Sequence, residues 1–513
     1  MKKFVSILLV LAMILALSTT AFAAENTNLT ISDSTDRTYN GYKLLNLTTS
    51  LKCDHTEGET HNDTCYNYAY TVNEKYENIL QELAGEGVDI IAYLGGLSSD
   101  NNSTYGTLRA VADSIYRAIQ AADIAADKTG LTGNNNAIDQ GYWLFADVST
   151  LTGNTANSLV MVDTKGQEEL TINPKVGLPT LEKKVKDTND STGVTTDWQD
   201  SADHDINDTV NFQITVTMPE NLAGYDTYKM VIHDTMSAGL TLDVSSIVVT
   251  KYASLTDATS GTNGTVVTAS FTKPTAATSE FAISCDNILG IAGQTVTKDT
   301  VFVVTYDATL NDGAVIGAAG NPNTAYLEFS NNPYGDGTGK TEEDKVIVFT
   351  YQLTINKVDP GKQPLKGAGF TLYKKDSTGA YKAVGNAKTG TGENENVFQW
   401  KGLDDGEYKL EETTVPAGYN KMADKEFTIS ATHNETPDTL VLTNLTSSFG
   451  TVEKNDDGAI TGNIEDDIEN NTGTILPETG AKGTIMLIGT SSLFILVAVV
   501  FMVTRKKMSI YED

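Results

Sequence analysis

A lysine, a glutamate and an asparagine fall at inward-facing strand positions in the C-terminal third of this chain, where apolar residues are the rule. In "YQLTINKVD" the two-residue period of a strand puts Leu353, Ile355 and Lys357 on one face. In "DGEYKLEETTVPAGY" the same period groups Tyr408, Leu410 and Glu412, and in "DIENNTG" it groups Ile468 with Asn470. A lysine in such a row is unusual. Burial as ions would be costly, so both ionisable groups are pushed toward neutrality. A lysine that has lost its proton is a nucleophilic amine. A glutamic acid that keeps its proton can hydrogen-bond an asparagine carbonyl and shuttle protons. Attack of the amine on the side-chain amide would expel ammonia and leave an isopeptide bond. The same residues also allow an ordinary lysine–glutamate salt bridge beside an exposed asparagine. Within the doublets, parity selects Glu412 over Glu411 and Asn470 over Asn471.

Positioning such groups requires strands, and the composition supplies them. The 513 residues are 40% hydrophobic, enough for real cores, and suggest about three domains of ordinary size. Gly is plentiful and Pro scarce, which favours β-structure with turns. A stretch over 24–175 mixes strand-like pieces ("TYNGYKLLNLTTSL", "GYWLFADV", "SLVMVD") with one helical stripe of Leu108, Val111, Ala112, Ile115, Ile119 and Ala122. That stripe reads as core packing. Residues 176–349 alternate clearly in "TVNFQITVTMP", "VFVVTYDATL" and "TAYLEFS", and residues 350–475 carry further short strands. The expected fold is mainly β: tandem immunoglobulin-like sandwiches behind a mixed α/β N-terminal domain. Each β-domain has a lysine near its first strand, an asparagine near its last and an acid between them.

The two ends are processing signals. Lys2-Lys3, the apolar run Val5 to Leu17 and Ala21-Phe22-Ala23 read as a secretory signal over 1–23. At the other end, Leu476-Pro477-Glu478-Thr479-Gly480 precedes an apolar span over 484–504 and the cluster Arg505-Lys506-Lys507, which would stay cytoplasmic. The formal charge of −31 argues against a nucleic-acid partner. No hydrolase triad, phosphate loop or HExxH motif is present, so no cofactor, metal or turnover is assigned. Cys53 and Cys65 bracket His55 and His61. A disulfide between the cysteines suits an exported chain; that, or no structural role at all, is favoured over zinc, because the spacing is not that of a known finger. Cys285 reads as a buried thiol.

Several of these stretches resemble known families. The LPETG pentapeptide, span and basic tail over 476–513 resemble the cell-wall sorting signal of sortase substrates. The resemblance implies sortase attack on the Thr479 carbonyl, release of the tail from Gly480 and transfer of the acyl group to an amine. "LEETTVPAGY" resembles the E-box of Gram-positive pilins and of collagen-binding-protein B-type domains, which have a prealbumin-like fold. It implies Glu412 as catalytic acid, Lys357 as nucleophile and Asn470 as acceptor. "LPTLEKKVKD", "NDTVNFQITVTMP", "VIHDTMSAGLTL" and "GNPNTAYLEFSNNP" resemble the fimbrial isopeptide-formation domain of pilin backbones and imply a set of Lys183, Asp234 and Asn323. Leu181, Lys183 and Val185 share a face, which selects Lys183 over Lys184. "LTINPKVG" resembles the pilin motif of shaft subunits, with Asn173 where that motif has Tyr, and implies Lys175 as the acyl acceptor.

Together these resemblances imply a major pilin. Its expected partners are a sortase, identical subunits and a peptidoglycan precursor, with ancillary pilins and host surface ligands as further candidates. Its expected location is the cell wall, after transient retention in the membrane. An individually anchored adhesin or ancillary pilin is the alternative: it would share the sorting signal and the crosslinks but would not need Lys175.

Overall fold

The computed structural model describes residues 26–32, 37–51, 66–98, 107–173, 176–390, 395–433, 440–473 and 497–500. The expected signal over 1–23, Cys53 and Cys65, the pilin-motif Lys175, the pentapeptide Leu476 to Gly480 and all but residues 497–500 of the expected span lie outside them. Among the described residues no helix is long and apolar enough to cross a membrane.

The N-terminal unit is mixed α/β. Its five-stranded sheet has Tyr39–Leu51 and Gly141–Asp147 at the centre, flanked by Tyr66–Val72, Leu159–Asp163 and Lys128–Leu131. "YWLFA" reads as an unbroken apolar run because both faces of this strand are covered. Leu144 and Ala146 face a core shared with the helices Glu77–Ala84, Ile90–Gly95 and Thr107–Ala121. Trp143 and Phe145 face a second core, shared with the strands Asn26–Ile31, Asn136–Asp139 and Glu169–Ile172. The long helix buries Ala112, Ile115 and Ile119 as its stripe predicts, together with Asp113 and Tyr116. Ala122 is a correction: the helix ends at Ala121 and the residue after it is exposed.

The central unit is a sandwich of two sheets. One orders Thr265–Val266, Leu240–Tyr252, Val301–Leu310, Thr209–Thr217 and Thr180–Val185. The other orders Ser201–Asp203, Asp344–Phe349, Asn321–Ser330, Met230–Met236 and Glu280–Cys285, with Thr338–Lys340 alongside Asn321–Ser330. The alternation in "TVNFQITVT" is realised in full: Val210, Phe212, Ile214 and Val216 are all buried between the sheets. Cys285 is buried and free.

The C-terminal unit repeats the plan. Val397–Leu403, Tyr351–Val358, Ile460–Glu469 and Thr451–Lys454 form one sheet. Tyr381–Ala383, Gly369–Lys375, Gly406–Thr414, Lys425–His433 and Leu442–Ser447 form the other, with Lys388–Thr389 beside Gly369–Lys375. First and last strands, Tyr351–Val358 and Ile460–Glu469, are parallel neighbours with Lys357 opposite Ile468. The chain is thus mainly β, with two sandwiches behind an α/β unit. One strand serves two cores: Val346 and Val348 face the central core while Ile347 and Phe349 face the C-terminal one.

Candidate functional site

In the central unit, strand pairing brings the expected residues together from both sheets. Ile214 holds Lys183 in register at the edge of one sheet. On the other, Asp234 lies opposite Ala325 and Met236 opposite Asn323. Lys183, Asp234 and Asn323 are all buried, Lys183 and Asn323 without any exposed surface. The Lys183 amine donates to Asp234 Oδ2 at 2.6 Å and to the Tyr306 hydroxyl, also at 2.6 Å. That hydroxyl donates to Asp234 Oδ2 at 2.6 Å and accepts from Asn323 Nδ2 at 2.8 Å. Asp234 Oδ1 and Asn323 Oδ1 have no hydrogen-bond partner.

The surroundings keep this set dry. Lys183 Nζ lies 5.4 Å from the Phe212 ring centroid and 5.1 Å from that of Tyr306, which Phe281 meets edge-on. Burial pushes the Lys183 amine down and the Asp234 carboxyl up, and the attraction between the two groups works against both shifts. Moving the proton from amine to carboxylate converts a buried ion pair into a neutral pair. The neighbours are used differently. Lys184 pairs outward with Asp200 at 2.7 Å and Glu182 at 3.0 Å. Asn321, also buried, has its side chain spent on the backbone of Val315 and Val348.

In the C-terminal unit the arrangement is rotated. Lys357 lies on the first strand of one sheet, Asn470 directly follows the parallel last strand beside it, and Glu412 comes across the core from the other sheet. All three are buried. Asn470 Nδ2 donates to Glu412 Oε1 at 2.7 Å, and the Met422 backbone N–H donates to Glu412 Oε2 at 2.8 Å. The Lys357 amine donates to the Ile468 carbonyl at 2.8 Å, and Asn470 Oδ1 is unpartnered. Burial pushes the Lys357 amine down to about 8, against the attraction of Glu412 and Glu469. The other halves of the doublets lie elsewhere: Glu411 pairs with Lys421 at 3.0 Å, and Asn471 is exposed.

Two features escaped the reading of the sequence. Tyr306 sits at inward parity with Phe302, Val304 and Ala308, and a tyrosine in such a row signals a buried hydroxyl in need of partners. Lys374 shares the inward parity of Phe370 and Leu372, the same signal as Lys357, yet its amine meets Asp205 at 2.6 Å, Asp404 at 3.1 Å and Asp190 at 3.2 Å. Burial opposes its charge, but the attraction of Asp404 and Asp205 prevails and holds the amine above the ordinary lysine range. Lys374 is therefore an ion-pair residue and not a nucleophile.

Four likenesses to known proteins bear on this geometry. The SpaA prealbumin-like fold domain family matches residues 351–446. The trypsin-resistant surface T6 protein of Streptococcus pyogenes serotype M6 is 28% identical over 262 residues, 48% of this chain and 44% of that protein. The match thus spans less than half of that relative's length. The solved T6 backbone pilin of the same serotype shares the fold at a TM-score of 0.52 and 19% identity, over 90% of this chain and all of that one. The full-length major pilin SpaD of Corynebacterium diphtheriae is a looser likeness, at a TM-score of 0.43 and 15% identity over 90% of this chain and 99% of its own. The domain match falls within the C-terminal unit, and the likeness to the solved T6 backbone pilin extends the shared fold over 90% of the chain.

Proposed function

We propose that this protein is the shaft subunit of a covalent surface pilus, a sortase substrate that crosslinks itself without turnover. The single observation that carries the reading is the pair of buried lysine–acid–asparagine sets, one in each β-sandwich, each with a lysine from the first strand and an asparagine from near the last. Lys183 would attack Cγ of Asn323, and Lys357 that of Asn470. In each case the amine loses a proton, the C–N bond of the amide breaks, and ammonia leaves with protons relayed by Asp234 or Glu412. Polymerisation would follow from the ends of the chain. A sortase cleaves between Thr479 and Gly480, joins Thr479 to Lys175 of the next subunit, and finally transfers the fibre to a peptidoglycan precursor, where it supports adhesion. We read the mature chain as domains over 24–175, 176–349 and 350–475.

Mass spectrometry of the purified protein tests the crosslinks. Each bond removes one ammonia, about 17 Da, and should yield peptides joining Lys183 to Asn323 and Lys357 to Asn470. A mass equal to the plain sequence sinks the self-crosslinking reading. In the producing cell, detergent-resistant ladders that disappear in Lys175→Ala support the shaft role. A single wall-linked band from the parent chain would instead identify an individually anchored adhesin.

A further inference from the structure

Between the central and C-terminal units lies a cluster that the crosslinks do not use. His433 ends the strand Lys425–His433 of the C-terminal unit, while Asp187, Ser201 and Asp203 belong to the central one. His433 Nε2 faces Asp187 Oδ2 at 3.6 Å and Asp203 Oδ1 at 3.7 Å, too far for hydrogen bonds. Its other nitrogen, Nδ1, is 2.5 Å from the Ser201 hydroxyl, and Phe349 flanks the ring at 5.7 Å. Asp203 is almost fully buried, and its second oxygen, Oδ2, has no hydrogen-bond partner. One ligand atom from each of Asp187, Asp203 and His433 lies within 4.8 Å of the other two.

These spacings fit a metal ion better than a set of hydrogen bonds. Two N or O ligands about 2.1 Å from a tetrahedral zinc stand about 3.4 Å apart, so His433 Nε2 lies within a few tenths of an ångström of that spacing from each aspartate. The contact at Nδ1 is the one a ligating imidazole requires: Nδ1–H donates to Ser201 Oγ, leaving the Nε2 lone pair toward the carboxylates. Two carboxylates and a neutral imidazole balance a divalent charge, and the mix of N and O donors suits zinc and its first-row neighbours better than calcium. Asp187 and His433 keep some exposure at the rim, which gives an ion a way in. We propose that Asp187, Asp203 and His433 form a seat for a divalent first-row metal ion that ties the central unit to the C-terminal one, with water as a fourth ligand.

The test uses the full chain carrying Cys53→Ser and Cys65→Ser, so that zinc cannot bind through those thiols. After chelator treatment, zinc titration calorimetry should show one site, and zinc should raise the melting temperature. His433→Gln and Asp203→Asn should each abolish that site. Ser201→Ala, which leaves every ligand in place, should weaken it by about 10- to 100-fold. No zinc uptake by the double-serine chain would overturn the proposal and leave His433 as an ion-pair partner of the two aspartates. Uptake unchanged by both His433→Gln and Ser201→Ala would overturn it as well, by placing the ion elsewhere.

Discussion

At Lys183, a phenol stands between the amine and the amide it is expected to attack. The Tyr306 hydroxyl touches the lysine, the aspartate and the asparagine at 2.6, 2.6 and 2.8 Å and so sets their mutual geometry. Tyr306→Phe should slow the Lys183–Asn323 crosslink about 100-fold, the cost of a small misplacement of reacting groups. The crosslinked fraction followed by mass in freshly translated protein would show it, and an unchanged rate would remove Tyr306 from the set. Lys357 carries a pH signature of its own. With its amine pushed down to about 8 in the folded chain, the neutral nucleophile becomes about tenfold scarcer for each pH unit below that value. The Lys357–Asn470 reaction should therefore quicken from pH 6 to 8 and level off above; a rate flat over that range would contradict an amine as the titrating group.

At the scale of elements, the two units solve one problem in two ways. In the C-terminal sandwich the lysine strand and the strand leading to the asparagine are parallel neighbours within a sheet, so a covalent bond there would reinforce a ladder that already exists. In the central sandwich Lys183 and Asn323 lie on opposite sheets, so a bond there would pin the sandwich shut across its core. Either bond closes a loop of roughly a hundred residues or more, for which chain entropy alone predicts about 5 kcal/mol. Asn470→Ala should cost that order of stability in the C-terminal unit, read as a lower melting transition in calorimetry. A transition that stays at the parent's temperature would argue that no covalent tie was lost.

At the scale of the whole molecule, both junctions are built rather than left as linkers. Arg117 on the long N-terminal helix donates to the carbonyls of Gly224 at 2.7 Å and Pro333 at 3.0 Å, and Tyr116 meets Tyr334 edge-on. At the second junction Gly402 is at φ +72, and any side chain there would collide with Ile206 of the central unit, so glycine is required on both counts. Lys374 draws Asp190 and Asp205 of the central unit onto Asp404 of its own. Lys374→Met should leave the buried Asp404 carboxylate and its half-buried neighbour Asp205 without their cation, at a cost of about 3–5 kcal/mol. Calorimetry should then show the C-terminal unit melting earlier, while the mass still records both ammonia losses. If stability is untouched, the junction does not depend on this clasp.

The sequence by itself determined much of this: the β-rich class, the helical stripe, and the inward placement of Lys183, Lys357, Glu412 and Asn470. All of these follow from periods of two or 3.6 residues along a single element. Parity also separated Lys183 from Lys184 and Glu412 from Glu411, because a one-residue slip moves a side chain to the other face. Only the tertiary structure decided what each inward lysine meets. Lys357 and Lys374 look alike in their strands, but one lies beside Glu412 and Asn470 and the other among three aspartates, two of them from a different unit. Whether burial lowers or neighbours raise an amine's pKa depends on charges far away in sequence, and strand periodicity carries no record of them. For the same reason Tyr306 and the cluster around His433 emerged only with the fold, since strands far apart in sequence had to pair or pack before their side chains could meet.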